Sequence, residues 1–269
     1  MSEGLRKRIL TAVPLGVALL VILLVLPPVF TVVTVTAVML AGAWEWSGFL
    51  RLSAPALRAA YVGSTALLIL GSWRLAASPA GRDALILAAV IWWCVALLWV
   101  ALAPQRTSAA TAAVAGVLAL VPAWLALVCM RLGANGAQWV VFTLILVFAA
   151  DIGAYFGGRL FGRIKLAPQV SPGKTWEGVF GGIALSSVWA LGGSLWFHIA
   201  WLSFVPLCVA VVAFSIVGDL TESMLKRFAG LKDSGSLLPG HGGMMDRIDS
   251  ITAAAPVMFY GLTLMGVAP

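Results

Sequence analysis

Residues 84–103 read ALILAAVIWWCVALLWVALA, twenty residues with no charge, proline or glycine. As a helix rising 1.5 Å per residue, a run of about 20 apolar residues spans the hydrocarbon core of a bilayer. Outward from this stretch, charges, prolines and glycines cut the rest of the chain into eight more such runs: 9–26, 29–50, 58–75, 108–130, 138–157, 177–197, 200–218 and 246–267. The runs are continuously apolar rather than alternating, which excludes a membrane β-barrel. The predicted fold class is therefore all-α, a polytopic integral membrane protein with about nine transmembrane helices.

Composition agrees. Of 269 residues, 62% are hydrophobic and 10% are charged, with a mean hydropathy of +1.04. A soluble domain carries about 25% charged residues to cover its surface, so a water-soluble enzyme is excluded. Arg6, Lys7 and Arg8 precede the first run as in a signal peptide, but no small-residue cleavage site follows and Pro27-Pro28 leads straight into the next run. The first run reads as a retained helix. Cys94, Cys129 and Cys208 lie in apolar stretches without metal-ligand spacing and read as packing residues.

Basic residues orient the chain. With nine spans and a cytoplasmic N-terminus, fourteen of the 17 Lys and Arg residues fall on the cytoplasmic side, and only Arg74, Arg82 and Arg131 fall on the other. This is the bias of the positive-inside rule. It predicts a C-terminus outside the cytoplasm and, for a bacterial chain, residence in the inner membrane.

Seven of the ten acids, Asp151, Glu177, Asp219, Glu222, Asp233, Asp246 and Asp249, lie in the second half. Residues 1–150 are thus expected to be a hydrophobic scaffold and 151–269 the catalytic region, within one membrane unit. A carboxylate in or beside the bilayer is costly to desolvate and by default marks a site facing a polar cavity. Three segments concentrate such groups. In DIGAYFGGR, 151–159, helical spacing puts Asp151, Tyr155 and Gly158 on one face, with Asp151 about 12 Å inward of Arg159. Asp151 on its own reads equally as a cavity acid or as a helix-packing hydrogen-bond partner.

In SPGKTWEG, 171–178, Pro172-Gly173 predicts a turn that gathers Ser171, Lys174, Thr175 and free backbone N–H groups before a helix carrying Glu177. That grouping suits phosphate, although Lys174 alone also fits an ordinary membrane-boundary anchor. The third segment, 219–249, aligns Asp219, Glu222, Ser223 and Lys226 on a helix face, crosses a Gly-rich loop, and opens the last span with Asp246 and Asp249 at i, i+3. Hard oxygen ligands flanked by Lys226, Arg227, Lys232 and Arg247 describe a magnesium–phosphate site facing the cytoplasm; a juxtamembrane loop contacting anionic lipid is the plainer alternative.

The run from Ser223 to Asp249 resembles the signature of the phosphatidate cytidylyltransferases, the CDP-diacylglycerol synthases. The matching positions are Ser223, Lys226, Arg227, Lys232, Asp233, Pro239, His241, Gly242, Gly243, Asp246, Arg247 and Asp249. SPGKTWEG is similar to the family's S-P-K-K-T-x-E-G element, departing at Gly173, and DIGAYFGGR is similar to its Asp-x-x-A-Tyr-x-x-G helix. The resemblance is detailed over 151–269 and general over 1–150. It implies transfer of CMP from CTP to phosphatidate, with release of pyrophosphate.

Under that resemblance Asp219, Lys226, Asp246 and Asp249 are the expected catalytic groups, and Asp219, Asp246, Asp249 and Asp151 the expected metal ligands, for Mg2+ with a monovalent cation as a second ion. Ser171, Lys174, Thr175, Glu177, Ser223, Arg227, Lys232, Asp233, His241, Gly242, Gly243 and Arg247 are expected to bind substrate. The expected partners are CTP, phosphatidate and membrane lipid, with no nucleic acid; a homodimer is compatible with the chain. A CTP-dependent polyprenol kinase and a membrane transporter are the alternatives. Against the transporter stand the clustering of charge on one face and the lack of a visible internal repeat.

Overall fold

The computed structural model describes residues 3–237 and 242–267. Nine helices occur among the described residues: α1 (Glu3–Leu24), α2 (Pro28–Phe49), α3 (Pro55–Leu75), α4 (Pro79–Leu102), α5 (Ala109–Leu132), α6 (Gly136–Phe161), α7 (Trp176–Trp196), α8 (Trp201–Ala229) and α9 (Met245–Leu264). Six of them, α2 and α4 to α8, are long and apolar enough to cross a membrane. Exposed side chains such as Leu67, Leu70, Leu98 and Leu195 cover the outer faces of α3, α4 and α7. A hydrophobic surface of this extent requires lipid rather than water around it.

Local signals set the helix ends. Pro28, Pro55 and Pro79 open α2, α3 and α4, where a missing N–H costs nothing. Ser108 and Thr111 form a capping box at the start of α5. Helix α8 continues 11 residues past the expected end of its apolar run, to Ala229, and stops where Gly230 adopts φ 74°. There the Leu231 N–H donates to Lys226 O (2.8 Å) and the Gly230 N–H to Arg227 O (3.1 Å), closing a Schellman motif. Arg51, at the end of α2, donates to Phe228 O and lies 4.5 Å from the Phe228 ring, a cation at a helix C-terminus.

The helical architecture carries one small hairpin, which corrects the turn expected at Pro172-Gly173. Lys165–Ala167 (β1) and Ser171–Thr175 (β2) form an antiparallel hairpin, with Lys165 opposite Thr175 and Ala167 opposite Ser171. Pro172 and Gly173 therefore lie within a strand, and the turn falls at 168–170 instead. Strand pairing overrides the local Pro-Gly signal because the exposed edge of so short a hairpin needs no donor from Pro172.

Two close approaches position the site. Along α6 and α7, Gly153 and Gly157 face Gly181 and Gly182 so tightly that a Cβ on Gly153 would collide with the Gly181 carbonyl. Small residues let these backbones touch, as is common between membrane helices. At Gly218 the backbone of α8 meets that of α9: a Cβ there would lie 2.5 Å from Asp249 O. Helix α9 is buried along most of its length, packed chiefly against α5, α8 and α4. Asp219 is thereby set beside the first turn of α9.

Candidate functional site

A cavity of about 520 Å3 opens between the ends of α6, α7 and α8, the hairpin and the start of α9. Every residue lining it lies between 151 and 250, among them Asp151, Tyr155, Arg159, Lys174, Asp219 and Ser250. Its size suits a small-molecule ligand. Asp151, Tyr155 and Gly158 all line it, as their one-face helical spacing requires.

At its centre Lys174 Nζ lies 2.5 Å from Asp219 Oδ2, and the Ser223 hydroxyl donates to Asp219 Oδ1 at 3.3 Å. Lys174 is carried there by β2. Thr175, the last residue of that strand, caps α7 by accepting the Gly178 N–H at 3.2 Å. Glu177 is half-buried and accepts the Ile164 N–H with both oxygens at 3.2 Å, tying the base of the hairpin to the start of α7. Of the SPGKTWEG residues, Lys174 thus carries the free chemistry, while Thr175 and Glu177 hold its frame. Ser171 pairs with Ala167 at the far end of β2.

Three carboxylates converge electrostatically. Asp151 lies within Coulombic reach of Asp219, Lys174 and Arg247, and Asp249 within reach of Asp219, Glu222 and Lys174. Arg159, at the rim, donates from Nη1 to the Tyr155 hydroxyl at 2.7 Å.

Asp246 belongs to a second, adjoining network. Lys226 Nζ bridges Asp246 Oδ1 and Glu222 Oε2, each at 2.7 Å. The Ser234 and Gly243 N–H groups donate to Asp246 Oδ2 at 3.0 and 2.9 Å. The resemblance implied that Asp246 shares a metal with Asp219; in the structure its acceptors face Lys226 and the loop. Glu222 is 1% exposed, and among the described residues its Oε1 has no hydrogen-bond partner. Glu45, from α2, also enters this network: its Oε2 accepts the Met245 N–H at 2.8 Å and the Ser234 hydroxyl at 3.1 Å. No local pattern singles out Glu45, since its partners lie 189 and 200 residues away.

The remaining expected residues fall elsewhere. Gly242 and Gly243 are packed by protein atoms: a Cβ on Gly242 would lie 3.0 Å from Asp246 Oδ2, and one on Gly243 would strike Ser234 and Glu45. Arg227 lines a separate cavity of about 220 Å3 and donates to Val170 O at 3.5 Å. Lys232 and Asp233 are exposed on the loop after α8, and Arg247 is exposed in the first turn of α9. His241 lies outside the described residues.

The donor chemistry suits Mg2+. The oxygens are hard, and Asp151, Asp219 and Asp249 share the ammonium of Lys174. Among the described residues no three His, Cys, Asp or Glu side chains close into a cage, as fits an ion held by one or two carboxylates and completed by substrate phosphates. Asp219 and Asp249 are the best-placed holders with Asp151 beside them; Asp246 could join only by exchanging Lys226 for a cation.

Comparison with known proteins adds an independent line. The family model described as the cytidylyltransferase family matches residues 6–265. A phosphatidate cytidylyltransferase of Pseudomonas aeruginosa is 42% identical over 260 residues, covering 94% of this chain and 95% of that protein. One of Haemophilus influenzae is 39% identical over 287 aligned positions, covering 95% and 98%. One of Brucella suis is 44% identical over 131 residues, 46% of each chain.

Proposed function

The chain belongs to the cytidylyltransferase family, and from that premise we propose that the cavity around Lys174 and Asp219 is where it transfers CMP from CTP to phosphatidate, giving CDP-diacylglycerol and pyrophosphate. An oxygen of the lipid phosphate attacks the α-phosphorus of CTP, and the bond from that phosphorus to the β-phosphate bridging oxygen breaks. A phosphate monoester is already largely ionised near neutral pH, so the attacking oxygen needs no dedicated base. Two polyanions must instead be brought together, and positioning and neutralisation do most of the work.

The observation that carries this reading is the Lys174–Asp219 pair inside a cavity that Asp151 also lines. When bound, Mg2+ would supply charge neutralisation for the departing pyrophosphate. Asp219, Asp249 and Asp151 would hold it. Lys174 offers its ammonium to the nucleotide phosphates. Arg159, fixed at the rim by Tyr155, offers its guanidinium to the lipid phosphate. Lys226 keeps Asp246 and Glu222 paired behind the site, so that no uncompensated carboxylate repels the incoming nucleotide.

The positive-inside bias supports nine spans with the cavity at the cytoplasmic face, where CTP is available. Residues 151–269 form the catalytic region and residues 1–150 the scaffold, apart from Glu45. Product analysis with CTP labelled in the cytidine separates the chemistry. Label recovered in lipid supports cytidylyl transfer; unlabelled phosphorylated lipid with free CDP would instead identify a kinase.

A further inference from the structure

Glu45 is 3% exposed and sits in α2, outside the segment that lines the cavity. Its Oε2 accepts from Met245 N–H and from the Ser234 hydroxyl, and among the described residues its Oε1 has no hydrogen-bond partner. Met245 is the first residue of α9, and Met244 before it provides no side-chain cap. The first N–H groups of a helix have no partner within it, and buried ones must find an acceptor elsewhere. Glu45 is that acceptor, a carboxylate at the positive end of the helix dipole. Substituting either Gly235 or Gly243 would drive a Cβ into this carboxylate, so the chain closes tightly over it.

We propose that Glu45 is a positioning residue for the reaction: it caps α9 from another helix and, through Ser234, holds the loop that locks Asp246 and Lys226. The link is continuous. Ser234 Oγ donates to Glu45 and accepts the Asp246 N–H at 3.2 Å, while the Ser234 N–H donates back to Asp246 Oδ2. Asp246 in turn fixes Lys226. The start of α9 carries Ser250 to the cavity wall and buries Asp249 within electrostatic reach of Asp219 and Lys174, so its placement sets the geometry of the site. The proposal rests on the cytidylyltransferase reading of that cavity.

The test compares Glu45→Ala, Glu45→Gln and Ser234→Ala with Thr36→Val, a control on the same helix that removes the Trp124 Nε1–Thr36 Oγ1 bond of 2.8 Å. Misplacing reacting groups by about 1 Å costs on the order of a hundredfold. Glu45→Ala should lower kcat by about that factor with a much smaller change in KM for CTP. An amide oxygen can accept both hydrogen bonds, so Glu45→Gln should stay within about threefold of the parent.

Thr36→Val should lower the melting temperature and leave kcat unchanged. Should Glu45→Ala fail to fold, Ser234→Ala, which keeps the Met245 contact, carries the test and should lose kcat in the same direction. Parental kcat in folded Glu45→Ala, a Gln variant no better than the Ala variant, or a loss in Thr36→Val that tracks its melting temperature would each overturn the proposal. Tryptic cleavage after Lys232 should be faster in Glu45→Ala whatever the product, and an unchanged rate counts against the hold on the loop. Failure of the parent to make CDP-lipid would instead count against the reading of the cavity alone.

Discussion

Replacing Lys174 with alanine separates stability from catalysis at this site. The ammonium sits 2.5 Å from Asp219 Oδ2, with the two side chains 26% and 31% exposed. A pair this open to solvent contributes about 0.2–1 kcal/mol to stability, so Lys174→Ala should unfold close to the parent. During turnover the same ammonium faces charge gathering on the triphosphate. Losing one such preorganised group costs about 3–4 kcal/mol, a 10²- to 10³-fold fall in rate. The assay is CDP-diacylglycerol formation by purified protein in detergent micelles, with CTP, phosphatidate and Mg2+ varied in turn, beside a thermal melt of the same sample. A melting curve near the parental one together with a kcat/KM for CTP at least about a hundredfold lower is the expected result. Parental kinetic constants for both substrates would reduce Lys174 to a membrane-boundary anchor and refute the reasoning.

Asp246→Asn removes the negative partner of Lys226 while keeping an acceptor for the Ser234 and Gly243 N–H groups. Turnover should fall by about a hundredfold or more in protein that remains folded, and near-parental activity at saturating CTP would contradict this. Gly153→Ala puts a methyl group into the Gly181 carbonyl and should destabilise the protein by about 1–3 kcal/mol, read from the melting temperature; an unchanged melt would deny the α6–α7 contact. Single-cysteine variants at Ser236 and Ser78, both exposed, should react with a membrane-impermeant thiol reagent from opposite faces, Ser236 from the cytoplasm. Reaction of both from one face would break the nine-span arrangement.

The helices were legible because each apolar run is long and sharply punctuated: Pro27-Pro28, Pro79 and Pro104 bracket runs that match α1, α2 and α4 closely. The polar end of α8 followed from the spacing of Asp219, Glu222, Ser223 and Lys226. The hairpin did not, because pairing between Lys165 and Thr175 is decided across a turn that contains no hairpin signal, and Pro172 argues locally against a strand. Asp151, Lys174, Thr175 and Asp219 share the cavity because each was read on an element that converges there. The partners of Asp246 could not be read, because spacing says which face a residue occupies but not which cation occupies its neighbourhood. Glu45 lay in a stretch whose apolar neighbours announce only a span, and its role exists only once α2, the loop and α9 are packed together.

The most direct test of the account is an experimental structure of the protein with Mg2+ and a non-hydrolysable CTP analogue. The account predicts triphosphate oxygens at hydrogen-bonding distance, about 2.7–3.2 Å, from Lys174 Nζ, with the Lys174–Asp219 pair opened and Asp219 turned to the ion. A triphosphate bound away from this cavity, for instance against Arg227 in the smaller cavity beside Gln105 and Gln169, with Lys174 still paired to Asp219, would contradict it.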